Sequence, residues 1–220
     1  MTRAAMLTLL GTALLPSMAS AAPCPACCTK PSYIMLAGSQ GGVPDPTAAF
    51  TIVVRDFADN PIPNSLVMID LSACTDMKLC RYQHAGANVD CSVHTVRGFT
   101  DANGRLTLTI LGAGLNNGRA PGPGAGCARI FADGTPIGDA TLVINDQNGG
   151  FQPPGAQGME VTDMLAFLVD YGNGIYRGRS DYSALFGFDM GALTVVDLSM
   201  FLKIFGTGYS SQGCPTFMCP

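Results

Sequence analysis

Oxygen-bearing side chains recur in two groups near the C-terminal end of the chain. Asp146 and Asn148 are followed by Asp163, and Asp181 and Asp189 are followed by Asp197. A hard cation such as calcium takes roughly six to eight oxygens, and one loop can deliver them from alternate positions, closing on a carboxylate. Asp163 and Asp197 hold that closing place, each at the head of a run with apolar residues at helical spacing. A carboxylate there also sits well against the positive end of the helix dipole. Both loops are long. Asp146 to Asp163 is 17 positions and Asp181 to Asp197 is 16, against about 11 in an undistorted calcium loop. Inserts at 152–157 and 184–188 account for the extra length, and Gly150 stands where a third oxygen belongs. A plainer role fits the same residues, because aspartate is common at helix starts and Asp-x-Asn-Gly is an ordinary turn.

Other reactive groups are sparse. The sequence has no G-x-S-x-G elbow, no H-E-x-x-H and no phosphate-binding loop. His84 and His94 are its only histidines. With Cys91 they form the one set with the chemistry of a transition-metal site or a nucleophilic dyad; polar surface roles are the alternative. Glycoside hydrolysis needs two protected acids in a cleft, but Glu160 is the only glutamate and the aspartates fall in turns. The expectation is a protein that is not an enzyme.

The elements that position these groups follow from patterning. Val161, Asp163, Met164, Phe167, Leu168, Tyr171 and Gly172 return 34 positions later as Val195, Asp197, Leu198, Phe201, Leu202, Phe205 and Gly206. The unit is an acidic loop and a short helix, twice. Upstream the pattern is β. Short extended runs are predicted at 32–38, 48–56, 65–72, 92–99, 106–110, 127–132 and 140–145, with turns at 60–64, 101–104 and 133–134. In 48–56, Phe50, Ile52 and Val54 share one face, whereas 65–72 is apolar enough to expect burial on both. Residues 74–91 read as a Cys-stapled excursion rather than a strand. Seven short strands with turns between them predict an antiparallel two-sheet sandwich.

Composition bounds the rest. Arg3, the apolar run 4–15, Pro16 and Ala19-Ser20-Ala21 form an export signal over 1–21, so a secreted chain beginning near Ala22 is expected. No later run is long enough to span a membrane. Charged residues are 13% and the formal net charge is −4, which argues against a nucleic-acid partner. The absence of Trp removes the best flat platform for sugars. Nine cysteines in an exported chain are most simply disulfides, the odd count leaving one thiol over or an intermolecular bond, and their connectivity stays open. The cluster Cys24-x-x-Cys27-Cys28 also has the spacing of a redox or zinc motif, but it lies beside prolines at the expected mature N-terminus.

Two resemblances add to this reading. Asn60-Pro61-Ile62-Pro63-Asn64-Ser65-Leu66-Val67 with Gly98-Phe99-Thr100-Asp101-Ala102-Asn103-Gly104-Arg105-Leu106 resembles the bacterial immunoglobulin-like modules of invasin type. Asp146-x-Asn148-Gly149 with 161–172, and Asp181-Tyr182 with 193–206, resemble the type I dockerin, a duplicated calcium loop-helix module. The resemblance implies calcium held by Asp146, Asn148, Asp163, Asp181, Asp189 and Asp197, helices packed antiparallel, and a cohesin-like protein partner. The implied organisation is a Cys/Pro-rich segment with a first strand at 22–44, a sandwich at 45–145 carrying the excursion 74–91, a repeat pair at 146–207 and a Cys-containing tail at 208–220. The tail is expected to be stapled, the N-terminal cysteines being one candidate partner. Function is expected to be non-catalytic protein binding or surface assembly. The alternatives are a secreted enzyme or accessory in polysaccharide breakdown, and a ligand-free spacer.

Overall fold

The computed structural model describes residues 21–40, 43–75, 77–84, 86–114, 126–145, 161–173, 180–183, 192–206 and 219. Among them the chain is mainly β. The strands are β1 (Tyr33–Ala37), β2 (Ser39–Gln40), β3 (Val43–Pro44), β4 (Phe50–Val53), β5 (Leu66–Asp70), β6 (Met77–Leu79), β7 (Asn88–Asp90), β8 (Thr95–Phe99), β9 (Arg105–Leu108), β10 (Ile110–Gly114), β11 (Ala128–Ala132) and β12 (Thr135–Ile144). The helices α1 (Val161–Gly172) and α2 (Val195–Phe205) follow.

Eight strands form one sheet in the order β6-β10-β1-β12-β11-β5-β8-β7, and β4 pairs antiparallel with β9 in a second layer. The N-terminal segment runs along the other side of β4, where Thr29 and Val53 exchange both backbone hydrogen bonds at 2.8 and 2.9 Å. Ile52, Val54, Leu106 and Leu108 of the small layer meet Ile34, Leu36, Val67, Ile69, Ile130 and Ile144 of the large sheet in a single core.

The seven expected strands all form, and local chemistry explains their joints. Asp133 and Gly134 both take positive φ, 46° and 79°. That is the two-residue turn matching strand twist, and it closes the β11–β12 hairpin. The corner at 100–104 carries the chain from the large sheet to the small layer. Its Asp101 carboxylate accepts from the amides of Asn103 (2.8 Å) and Arg105 (3.0 Å). The buried Thr100 hydroxyl donates to Ile62 O at 2.7 Å and accepts from the Ser65 amide at 2.9 Å, tying the corner to the proline-rich turn. Gly104 has φ +68°, and a Cβ there would lie 2.6 Å from Val54 O, so only glycine fits.

Strand β1 buries both faces. Ile34 and Leu36 join the main β core, while Met35 and Ala37, with Val143 of β12, pack in the same cluster as the helix residues Phe167 and Phe201. Such double burial is what a continuous apolar run provides. β1 is also parallel to both of its neighbours, β10 and β12, which departs from a purely antiparallel arrangement.

Further departures concern the middle of the chain. β5 buries Val67 and Ile69 fully but leaves Leu66, Met68 and Asp70 half-exposed, so one face rather than two is covered. The predicted strand through Ile110 breaks at Thr109. β9 pairs with β4, and β10 crosses into the large sheet between β1 and β6. The excursion 74–91 is not stapled to itself: Cys74 bonds Cys127 and Cys91 bonds Cys219. It also contains two strands, β6 and β7, which form the two opposite edges of the eight-stranded sheet.

Those edges meet. The Cys219 amide donates to Leu79 O of β6 at 2.7 Å, and its Cα is 5.1 Å from that of Cys91, the residue after β7. Leu79 and Cys91 therefore lie within about 12 Å of each other. Eight flat strands would hold their edges roughly 34 Å apart. The sheet curls until it is nearly a barrel, and the tail residue sits at the seam. The tail is thus stapled to the excursion rather than to the N-terminus, where Cys24 bonds Cys27 and Cys28 is a half-buried free thiol. Cys80 is disulfide-bonded as well.

Candidate metal site in the duplicated segment

The repeat is a repeat of burial. In α1 the buried residues are Asp163, Phe167 and Asp170; in α2 they are Asp197, Phe201 and Ile204. These are equivalent positions, 34 apart. The intermediate and exposed positions match as well, except that Thr162 is exposed and Val196 is intermediate. Phe167 and Phe201 stack directly, with ring centroids 4.6 Å apart and planes 7° from parallel. Equivalent residues meet in this way when two copies are related by an approximate two-fold axis.

Tyr182 holds this pair to the sheet. It is fully buried, its ring meets Phe201 edge-on at 5.7 Å, and its hydroxyl donates to Ile144 O at 2.6 Å. The residues on either side of it are the chemically interesting ones. Asp181, Ser183 and Asp197 are all fully buried. The Ser183 hydroxyl donates to Asp181 Oδ1 at 3.2 Å, and the Ser183 amide donates to Asp197 Oδ1 at 2.8 Å. Asp197 Oδ2 accepts from the Thr194 amide at 2.7 Å and its hydroxyl at 3.1 Å. Thr194 Oγ1 in turn accepts from the Val196 amide at 3.2 Å. This is a capping box, with aspartate in place of the commoner glutamate.

Of the six sequence-predicted ligands, then, Asp181 and Asp197 are brought into one hydrogen-bonded group through Ser183. Asp163 is fully buried at the equivalent place in α1. Asp146, Asn148 and Asp189 lie outside the described residues. Ser183 belongs to the opening of the second loop but was not among the expected ligands, although an oxygen two positions after an opening aspartate is the loop pattern itself. It also passed over Asp170, which accepts from the Ser180 hydroxyl at 2.9 Å and is fully buried inside an otherwise amphipathic helix.

The chemistry of this donor set suits a hard cation, since it offers carboxylate and hydroxyl oxygens without sulfur or imidazole. Asp181, Ser183 and Asp197 would be the residues to hold it. Among the described residues no three His, Cys, Asp or Glu side chains converge closely enough to bind a metal, so a complete shell needs ligands from beyond them. Cys91, one of the residues considered for other metal or nucleophilic chemistry, has its sulfur tied to Cys219. A separate surface groove of about 610 Å³ is lined by Arg81, Tyr82, Asn88, Asp90 and Arg97 among others. Its carboxylate, Asp90, is 3.6 Å from the Arg97 guanidinium and accepts from Ser92.

No family model, curated protein or solved structure matches this chain. No helix among the described residues is long and apolar enough to cross a membrane.

Proposed function

We propose that this chain is an exported, non-catalytic assembly protein: an immunoglobulin-like sandwich carrying a dockerin-like helix pair that docks a cohesin-like protein. The observation that carries the reading lies on the helices. Their inner face is closed by the Phe167–Phe201 stack, yet Val161, Leu165, Leu168, Val169, Val195 and Leu202 remain exposed, Leu165 at 57% and Val195 at 64%. A helix pair with no partner places polar residues there. A group of large apolar residues left in water marks an interaction surface.

The strand succession supports the sandwich. β4 and β9 pair in one layer, β12, β11, β5 and β8 are successive neighbours in the other, and β1 lies parallel to β12. The matched burial of α1 and α2 and the Asp181–Ser183–Asp197 group support a calcium-stabilised loop-helix duplication. The disulfides support an oxidising, extracellular setting.

The test is binding of the disulfide-bonded chain to a panel of purified cohesin domains by biolayer interferometry, in calcium and in chelator. Saturable, calcium-dependent binding is expected with at least one domain. The double variant Leu165→Lys/Leu202→Lys should lose at least tenfold in affinity while keeping its circular dichroism. A folded chain that binds no member of the panel, or a variant that binds unchanged, would exclude the reading.

A further inference from the structure

The surface groove that holds Arg81 and Arg97 lies across the seam of the large sheet. One wall follows β6, which ends at Leu79, and carries Arg81 and Tyr82. The other is β7 and its exit, with Asn88, Asp90 and Ser92, and Arg97 of β8 beside it. Asn88 stands directly opposite Arg97 in the register, so the two share one face of the sheet, and Asp90 follows on that face by alternation. Each wall is held by a cross-link. Cys80, next to Arg81, is disulfide-bonded, and Cys91, between Asp90 and Ser92, is tied to Cys219. At about 610 Å³ the groove has the size of a small-ligand site.

Donors outnumber acceptors there. Asp90 is the single carboxylate beside two guanidinium groups, and its Oδ1 already accepts from the Ser92 hydroxyl at 2.6 Å and amide at 3.1 Å. Its Oδ2 is 3.6 Å from Arg97 Nη2, which is an ion pair but too long for a hydrogen bond. The Arg97 side chain is 42% exposed and its Nε has no hydrogen-bond partner in the protein, so Asp90 leaves most of the fork unused. None of the ion pairs among the described residues includes Arg81. The groove is therefore locally positive in a chain whose formal net charge is −4. A guanidinium presents its N–H groups in a planar fork that matches a carboxylate.

The groups around these cations suit a sugar ring. Tyr82, 58% exposed, combines a flat apolar face with a polar hydroxyl at its tip. Asn88 is exposed and offers both donors and an acceptor. We propose that this groove binds an oligouronate, a short chain of sugar rings that carry carboxylates. Arg81 and Arg97 pair with its carboxylates, Tyr82 lies against a ring, and Asn88 serves the ring hydroxyls. The lining is too polar for an apolar ligand, and an acidic peptide would satisfy the arginines but leave Tyr82 and Asn88 without a role. The site uses none of the residues of the helix repeat, so it stands whether or not the dockerin-like reading does.

The experiment is calorimetric titration of the disulfide-bonded chain with trigalacturonate and trimannuronate, with the methyl esters of both, and with hexaglutamate, for wild type, Arg81→Gln and Tyr82→Ala. Wild type is expected to bind at least one of the two uronates saturably, and its methyl ester at least tenfold more weakly. Arg81→Gln should lose at least tenfold in affinity and Tyr82→Ala several-fold. Both residues are exposed, so circular dichroism should stay unchanged, and the ester comparison is read on wild type without any variant. The proposal is overturned if the folded wild type binds neither uronate. Equal binding of acid and ester overturns it as well, as does unchanged binding by Arg81→Gln. Hexaglutamate binding as tightly as the uronates, or Tyr82→Ala binding them unchanged, overturns the choice of a sugar.

Discussion

Asp197 illustrates how one carboxylate can be read two ways. As a cap it satisfies the Thr194 amide and hydroxyl and fastens the Ser183 amide; as a metal ligand it would close the second loop. The two roles separate by experiment. Thr194→Ala is expected to cost about 0.5–2 kcal/mol whatever the calcium level, because only a cap is lost. Asp197→Ala should cost more, since it leaves buried donors unmet. Its penalty, read from urea midpoints, should shrink in chelator if a calcium ion is also lost and stay constant if the cap is the whole role. Other aspartates set the response to acid. Burial pushes the Asp70 carboxyl up, but the Ser72 hydroxyl and amide and the Arg129 guanidinium outweigh it and hold the group below its usual range. The Ser92 hydroxyl and amide, then Arg97, hold Asp90 low, and the Asn60 amide does the same for Asp56. A carboxyl lower in the folded than in the unfolded chain adds stability that is complete above the unfolded value, near about 4. That stability is lost as pH falls through the folded value. Urea midpoints should therefore fall as the pH drops below about 4. Asp70→Asn should be less stable at neutral pH but lose less on acidification; an identical acid profile would count against this assignment.

At the level of elements, legibility tracked periodicity. The helix pair was readable because Phe167 and Phe201 recur in register with Asp163 and Asp197, and a 3.6-residue pattern survives without neighbours. The corner at 100–104 was readable because Thr100, Asp101 and Gly104 act locally. β6 and β7 were not, being three residues each inside a segment of Cys, Gly and polar residues with too little alternation to register. Three of the five residues of β10, Ile-Leu-Gly-Ala-Gly, are glycine or alanine, and the strand holds because partners flank it on both sides. The groove shared by Arg81 and Arg97 left no trace in the pattern, because only tertiary packing brings the two residues to one place. The stacked phenylalanines offer the clearest test of the duplication. Phe167→Ala and Phe201→Ala should each cost about 3–5 kcal/mol. As the two rings fill one contact, the double variant should cost clearly less than the sum of the singles. Additive penalties would mean that each ring packs independently and the copies do not meet at their equivalent positions.

For the whole molecule, the organising fact is that one excursion supplies both edges of the large sheet and one tail residue bridges them. An open eight-stranded sheet would present β6 and β7 as unpaired edges, a hazard for aggregation; curling the sheet brings them side by side, and Cys219 fastens the seam by a backbone hydrogen bond to Leu79 and a disulfide to Cys91. The Cys91–Cys219 bond spans a sequence separation of 128, against 3 for Cys24–Cys27. If cross-links act mainly by restricting the unfolded chain, the long loop contributes about 5 kcal/mol and the short one about 2 kcal/mol. Replacing Cys91 and Cys219 together by serine should therefore lower stability more than replacing Cys24 and Cys27. The damage should also be local. Hydrogen exchange is expected to speed up in β6 and β7, whose protection depends on the seam, while β5, β11 and β12, paired on both sides, keep theirs. Protection retained in β6 and β7 would mean that the sheet closes through side-chain packing alone and the tail merely decorates it. Uniform loss across all strands would mean that the seam nucleates the whole β fold rather than finishing it.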